Sequence, residues 1–322
     1  MEARAAILDD YQEAAFAMAD WRPLDGRVRL DRFSTHAEGG QLVARLREHE
    51  IVVAMRERTV FDAALLSQLP KLKLLVTTGM ANASIDMDAA RQQGVTVCGT
   101  RGVVGPAAEL AWALLLALAR GIPAEVENLR AGGERWQLSV GTGLAGKTLG
   151  VVGLGKLGSL VAGYGRAFGM TVVGWSRNNT PERSAALGIG FAATLDELLG
   201  RSDVVTLHLT LTSGTTGIIG ARALGLMKPG ALLVNASRGP LVDEVALVDA
   251  LATGRIAGAA LDVFDREPLP AVHPFRTLPN VVATPHLGYV TGETYRIYYG
   301  DAVEDIAAWL AGAPIRVLNG ER

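Results

Sequence analysis

The chain has 322 residues, 49% of them hydrophobic, with a net charge of −2 and a pI near 6.2. That near-balance lacks the basic footprint of a nucleic-acid or anionic-membrane binder. A single cysteine, Cys98, excludes an intrachain disulfide and fits a reducing, cytoplasmic setting.

At about 100–200 residues per domain, two domains are expected. The opening MEARAAILDD carries acids where a signal peptide has an apolar core. The longest apolar run, residues 110–119, is too short to span a bilayer and reads as a buried helix.

Short β-branched runs then alternate with amphipathic stretches, the signature of parallel sheets covered by helices. The first series places strands at 5–8, 28–33, 51–54, 72–77 and 95–98, and helices at 40–48, 61–69 and 86–93. Cys98, at the end of its apolar run, reads as a buried thiol. A second series places strands at 148–152, 171–175, 204–207, 231–235, 258–262 and 281–283, about six strands of a doubly wound sheet. After residue 288 the chain returns to helix (293–311), and with no strand series of its own that tail is expected to pack on the first domain. The expected fold is therefore α/β, two Rossmann-like or flavodoxin-like domains with parallel sheets. One is discontinuous, 1–99 with 289–322, around a central domain of 100–288. The helices 107–120 and 293–311 are the expected crossings.

The stretch GVVGLGKLG at 150–158 places Gly153, Gly155 and Gly158 in a GxGxxG pattern between a strand and a helix (159–168). That context, rather than the glycines alone, marks a dinucleotide pyrophosphate loop, with Leu154, Lys156 and Leu157 between them. At the tip of the next strand, where a carboxylate ordinarily binds the adenosine ribose of NAD, stand Ser176, Arg177 and Asn178. A hydroxyl and a guanidinium suit a 2′-phosphate, so NADP(H) is the expected cofactor, with NAD(H) the alternative. His208, inside a strand, reads as a packed neighbour of that cofactor.

Three later strand ends each carry one group that reduction of a 2-oxo acid needs. NASRGPLVD puts Arg238 where it can grip a carboxylate and polarise the adjacent carbonyl. LDVFDREP brings Asp262 and Glu267, and ATPHLG brings His286. An imidazole supplies the proton that the alkoxide takes up, and a carboxylate behind it orients the ring and favours its protonated form.

GLGKLG, NASRGPLVDE, LDVFDREP and TPHLG together resemble the D-isomer-specific 2-hydroxyacid dehydrogenase family, over nearly the whole chain. The resemblance implies the split two-domain fold and a homodimer, with the apolar helix 107–120 at the interface. It implies Arg238 as substrate-binding, Glu267 as the support of His286, and Asp262 against the nicotinamide carboxamide. Thr215, Ala236, Ser237 and Gly288 join the cofactor set. Thr78, Gly79 and Met80 resemble the turn whose backbone N–H groups hold the substrate carboxylate. Thr210 stands where the family usually has proline. Glu267 argues against formate dehydrogenase, which carries glutamine there.

Arg56 is a candidate for a polar group on the substrate, whereas Tyr295, Tyr298 and Tyr299 at helical spacing read as core or subunit contacts. His36 and His49 are expected to be exposed. No histidine pair or cysteine has metal-ligand spacing, so no metal is expected. Glyoxylate and hydroxypyruvate are the leading substrates. The alternatives are an NAD(H)-linked dehydrogenase of a bulkier 2-hydroxy acid, or a non-catalytic NAD(P)H-sensing binding protein of the same fold.

Overall fold

Five parallel strands form the first sheet: β1 (Ala3–Ile7), β2 (Val28–Arg32), β3 (Ile51–Ala54), β4 (Leu74–Thr77) and β5 (Thr96–Gly99), in the order β2-β1-β3-β4-β5. The runs IVVA and LLVT are buried at every position, as strands covered by helices on both faces must be. The computed structural model describes residues 2–320. It divides into two units, Met1–Val103 with Val290–Arg322, and Val104–Tyr289.

The tail belongs to the first unit. Its helix Gly292–Leu310 packs on β4, and Val317 bridges antiparallel to Cys98 at the sheet edge. Asn319 accepts the Val97 N–H and donates to the Val95 carbonyl, so the edge strand's backbone is satisfied. Cys98 is fully buried, and burial pushes its thiol up to about 12.

Asp305, on the same helix, has its side chain wholly inside. Its Oδ1 accepts from Arg316 Nε at 3.0 Å, while its Oδ2 has no partner among the described residues. Burial pushes this carboxyl up to about 7, against the pull of Arg316. A folded-state value above the unfolded one means the folded chain holds more protons, so stability falls as pH rises from about 4 to about 7. Asp305→Asn is therefore expected to melt close to the parent at pH 5 and a few degrees above it at pH 8, by calorimetry. A difference that does not change with pH removes this account.

Two of the expected exposures were wrong. His49 is 2% exposed, with Nε2 2.9 Å from Asp31 Oδ2. His36 is half-buried between Asp9 (3.1 Å) and Glu38 (3.3 Å). Both lie in polar local sequence, and each is met by a carboxylate from another segment, Asp9 for His36 and Asp31 for His49. The helix expected at 61–69 is only Ala63–Leu66, because Asp62 caps it by accepting the Leu65 N–H and Phe61 bridges to Ile85 instead.

The second sheet holds β6 (Thr148–Val152), β7 (Thr171–Trp175), β8 (Gly190–Phe191), β9 (Val204–Leu207), β10 (Leu232–Asn235), β11 (Gly258–Leu261) and β12 (Val281–Ala283), all parallel. The order is β12-β11-β10-β9-β6-β7-β8. The two-residue β8 extends the six expected strands to seven; it is too short to show a pattern. Alternate residues feed opposite cores, Leu149 and Val151 to one, Val152 and Leu207 to the other. The helix Gly105–Ala119 fills the first of these through Trp112, Leu114 and Leu115. Among the described residues no single helix is long and apolar enough to cross a membrane; one pair bent by 66°, Gly105–Ala119 with Ile122–Arg130, passes on length and composition alone.

Strand order reverses between β6 and β9, and it is in the crevice outside the carboxyl ends of strands at such a reversal that open α/β sheets bind their ligands.

Candidate active site

At that crevice the glycine loop leaves β6. Gly153 takes φ +99° and donates its N–H to the Trp175 carbonyl at 2.8 Å. A Cβ on Gly158 would collide with the Gly153 carbonyl oxygen, so only glycine lets the helix Lys156–Ala167 start this close to the strand. Gly155 caps that 12-residue helix without a side-chain bond, and space around it is open. Unpaired first-turn N–H groups and an open approach fit a pyrophosphate. Leu154 is buried and Leu157 half-buried, whereas Lys156 is exposed.

The tip of β7 carries Ser176, Arg177 and Asn178, the last two exposed. A Cβ on Gly214 would stand 3.1 Å from Arg177 Nη1, so the guanidinium leans over the loop that follows β9. His208, at the end of β9, places Nε2 2.9 Å from Thr206 Oγ1, and its Cβ faces Gly158. Burial pushes its imidazole down to about 3, so it is neutral at physiological pH. Thr215 is buried, accepting the Thr212 N–H and donating to the Thr210 carbonyl, which braces the 210–216 turn.

Past β10, Asn235 holds the loop in shape, donating to the Arg238 carbonyl (2.9 Å) and accepting the Ser237 N–H (3.1 Å). Ser237 donates to the Leu207 carbonyl, Ala236 packs on the core, and Arg238 Nη1 reaches the Ser237 carbonyl at 2.7 Å. Past β11, Glu267 Oε1 accepts the Phe264 N–H at 3.0 Å, and its Oε2 lies 2.7 Å from His286 Nδ1. A charge-assisted bond this short fixes Nδ1–H toward the carboxylate and leaves Nε2 to exchange a proton.

His286 itself sits at φ +54°, a region L-residues with side chains seldom adopt. Its loop is held by Asp262, which is wholly buried. One oxygen accepts the Thr284 hydroxyl (2.6 Å) and the Leu287 N–H (2.7 Å), the other the Gly288 N–H (2.8 Å). Burial raises the Asp262 carboxyl above its ordinary range, which these three donors partly offset.

In the first unit, Arg56 (φ +50°) donates its N–H to Thr78 Oγ1 at 2.8 Å and its Nη1 to the Thr78 carbonyl at 3.2 Å. Its guanidinium thus lies across Gly79 rather than in solvent. The Gly79 N–H is donated to Thr100 Oγ1 (2.8 Å), so it is not open to a carboxylate in this arrangement; Met80, beside it, is half exposed. Tyr295, Tyr298 and Tyr299 are buried in the core. No cluster of three or more His, Cys, Asp or Glu able to hold a metal occurs among the described residues.

The family model of the NAD binding domain of the D-isomer specific 2-hydroxyacid dehydrogenases matches residues 112–288. The chain belongs to the D-isomer-specific 2-hydroxyacid dehydrogenase family. A glyoxylate reductase of Aeropyrum pernix is 39% identical over 290 residues, 87% of this chain and 86% of that one. A D-3-phosphoglycerate dehydrogenase of Mycobacterium tuberculosis is 44% identical over 261 residues, 80% of this chain but 49% of its own, so this chain spans about half of that relative. A solved phosphoglycerate oxidoreductase from Vibrio cholerae superposes with a TM-score of 0.90 at 37% identity, covering 97% of this chain and 100% of the other. The chain is thus an oxidoreductase with a nicotinamide-binding domain that acts on the 2-hydroxy/2-oxo acid class.

Two features of this dehydrogenase's candidate site were not legible in its sequence. Arg183, six residues past Arg177, donates Nη2 to the Leu154 carbonyl at 2.6 Å and so brings a second guanidinium to the glycine loop. Gly239 packs so tightly on the 264–265 backbone that the loop after Arg238 and the loop before Glu267 are in direct contact. A charged residue on the first turn of the next helix was the available signal for Arg183. Nothing local signals Gly239.

Proposed function

We propose that this dehydrogenase reduces a small 2-oxo acid, of the glyoxylate and hydroxypyruvate class, to the D-2-hydroxy acid, with NADPH preferred over NADH. The observation that carries the reading is the 2.7 Å His286–Glu267 pair at the carboxyl edge of the sheet. A reduced nicotinamide held by the glycine loop would supply the hydride that the substrate's C2 takes up. Arg238 grips the carboxylate and polarises the carbonyl, and His286 Nε2–H gives its proton to the oxygen that becomes the hydroxyl. Glu267 holds the ring and balances the charge it carries before transfer. Of that turn, Met80, with Arg56 beside it, is assigned to the substrate carboxylate or its polar end, because Thr78 and Gly79 give their N–H groups to Ala54 and Thr100; the 1–99/289–322 part of the chain is assigned to substrate binding.

The NADPH preference rests on Ser176, Arg177 and Arg183 with no carboxylate at the β7 tip. The glyoxylate reductase relatives, 39% and 40% identical, support the small-acid reading. Initial rates with each dinucleotide against glyoxylate, hydroxypyruvate, pyruvate and phenylpyruvate test the reading. The expected result is at least about tenfold higher kcat/KM with NADPH, worth ~1.4 kcal/mol, and the small acids ahead. An NADH preference overturns the cofactor assignment, and phenylpyruvate ahead overturns the substrate class. A homodimer belongs to the same reading. The helix Ile122–Arg130 buries no residue, and Trp136 and Val140 beyond it stand exposed; a monomer mass at micromolar concentration removes it.

A further inference from the structure

We propose that Glu244 and His273 form a second histidine–carboxylate pair that positions Glu267, and through it His286, for proton transfer. The inference rests on the roles given above to Glu267 and His286.

Glu244 opens the helix Glu244–Ala252, but it does not cap it: Asp243 does, accepting the Ala246 N–H at 3.0 Å. The Glu244 side chain turns instead to the neighbouring loop. Its Oε1 lies 3.0 Å from His273 Nε2, and its Oε2 accepts the Asp265 N–H at 3.3 Å. His273 Nδ1 accepts the Phe275 N–H at 3.2 Å, so its proton is on Nε2 and is donated to Glu244. The ring lies 4.7 Å from Phe275 at a tilt of 51°, and Phe275 in turn lies 6.3 Å from Phe264. Phe264 supplies the N–H that Glu267 Oε1 accepts.

Glu267's own bond to Phe264 lies within its turn. It fixes the shape of that turn but not where the turn stands relative to the loop of His286. Among the described residues, two ties from outside do that. One is Gly239, where a Cβ would stand 2.6 Å from the Asp265 nitrogen. The other is Glu244 on that same nitrogen's hydrogen, held in place by His273. The two pairs resemble each other in exposure, the histidine side chains being 15% and 16% exposed and the carboxylates 24% and 26%.

The charge on Glu244 comes at an electrostatic cost. Asp265 is pushed above the ordinary carboxylate range by burial, then by Glu244 and Asp243. A glutamine would avoid that repulsion, but with the two donors on different oxygens it would turn an NH2 group toward one of them. Local rules are broken in this way where a geometry has to be held.

Kinetics of the full-length enzyme with NADPH and glyoxylate test the pair, using His273→Ala, His273→Gln, Glu244→Gln and, as reference, His286→Ala. Misplacing a supporting group by a fraction of an ångström is expected to lower kcat on the order of tenfold in His273→Ala and Glu244→Gln. KM for NADPH should stay within about twofold, because neither residue touches the glycine loop. His273→Gln, which keeps an Nε2–H donor, should recover most of the rate. The double change His273→Ala with Glu244→Gln should cost no more than either alone, as expected of a unit. Parent kcat in both single variants overturns the proposal, as does a His273→Gln enzyme no better than His273→Ala. Retained activity in His286→Ala would instead remove the proton-donor assignment beneath it, a separate result.

Discussion

Replacing His286 by alanine is expected to lower kcat for 2-oxo acid reduction about a thousandfold, within the usual range for a general acid. NADPH binding, read by quenching of tryptophan fluorescence, should change little, because the glycine loop and the β7 tip lie elsewhere on the sheet edge. The size follows from the pairing. With Nδ1 committed to Glu267 at 2.7 Å, Nε2 is the one ring nitrogen left to exchange protons. The other contact of Glu267, the Phe264 N–H on its second oxygen, offers no group that could take over that transfer. The left-handed backbone at His286 adds a second reason. The loop is kept strained by three donors on Asp262, and such strain persists where the side chain's aim matters. Alanine keeps the Cβ and with it this strain, so a variant that melts near the parent temperature yet is nearly inactive is the expected combination. Full activity in a folded variant would remove His286 as proton donor.

Gly158→Ala should nearly abolish cofactor binding and also destabilise the fold. Its Cβ would meet the Gly153 carbonyl oxygen, which is backbone and cannot rotate away. The helix Lys156–Ala167 must then lift from β6, moving the N–H groups that would hold the pyrophosphate. Overpacking of this kind costs about 1–3 kcal/mol, a fall of several degrees in Tm, and the Kd for NADPH should rise at least about tenfold. Gly155→Ala is the internal control. Nothing lies within 4 Å of a Cβ there, so the apo enzyme should melt as the parent does. Any loss in that variant appears only when phosphate is present. Equal melting of the two variants would remove the packing account.

Which parts of the site were legible follows from how locally each is determined. Arg238, Glu267 and His286 could be found because each follows a short apolar strand directly, and strand ends of one parallel sheet share an edge. Ser176 and Arg177 could be found for the same reason. Arg183 could not, since its role depends on the helix folding back so that Nη2 meets Leu154. Asp262 was expected against the nicotinamide carboxamide, and the structure shows in addition that it ties down the loop of His286 from 22 to 26 residues away. Glu244 and His273, 29 residues apart, had no local sign at all.

The strands at 51–54, 148–152, 171–175, 204–207 and 281–283 coincide with their apolar runs; where a strand is buried throughout, as at 51–54 and 204–207, it is written as continuous hydrophobic sequence. The same holds for the glycine spacing, since a tight turn and a close helix–strand approach each demand the smallest residue. Polar side chains carry no such local rule. His36 and His49 sit in polar sequence and are nonetheless drawn inward by Asp9, just past β1, and Asp31 on β2. Burying a polar group is tolerated only where a partner meets it, and that partner is brought by the path of the chain through space. Apolar periodicity and glycine spacing therefore specified the scaffold locally, while the pairing of each polar side chain waited for the segments to meet.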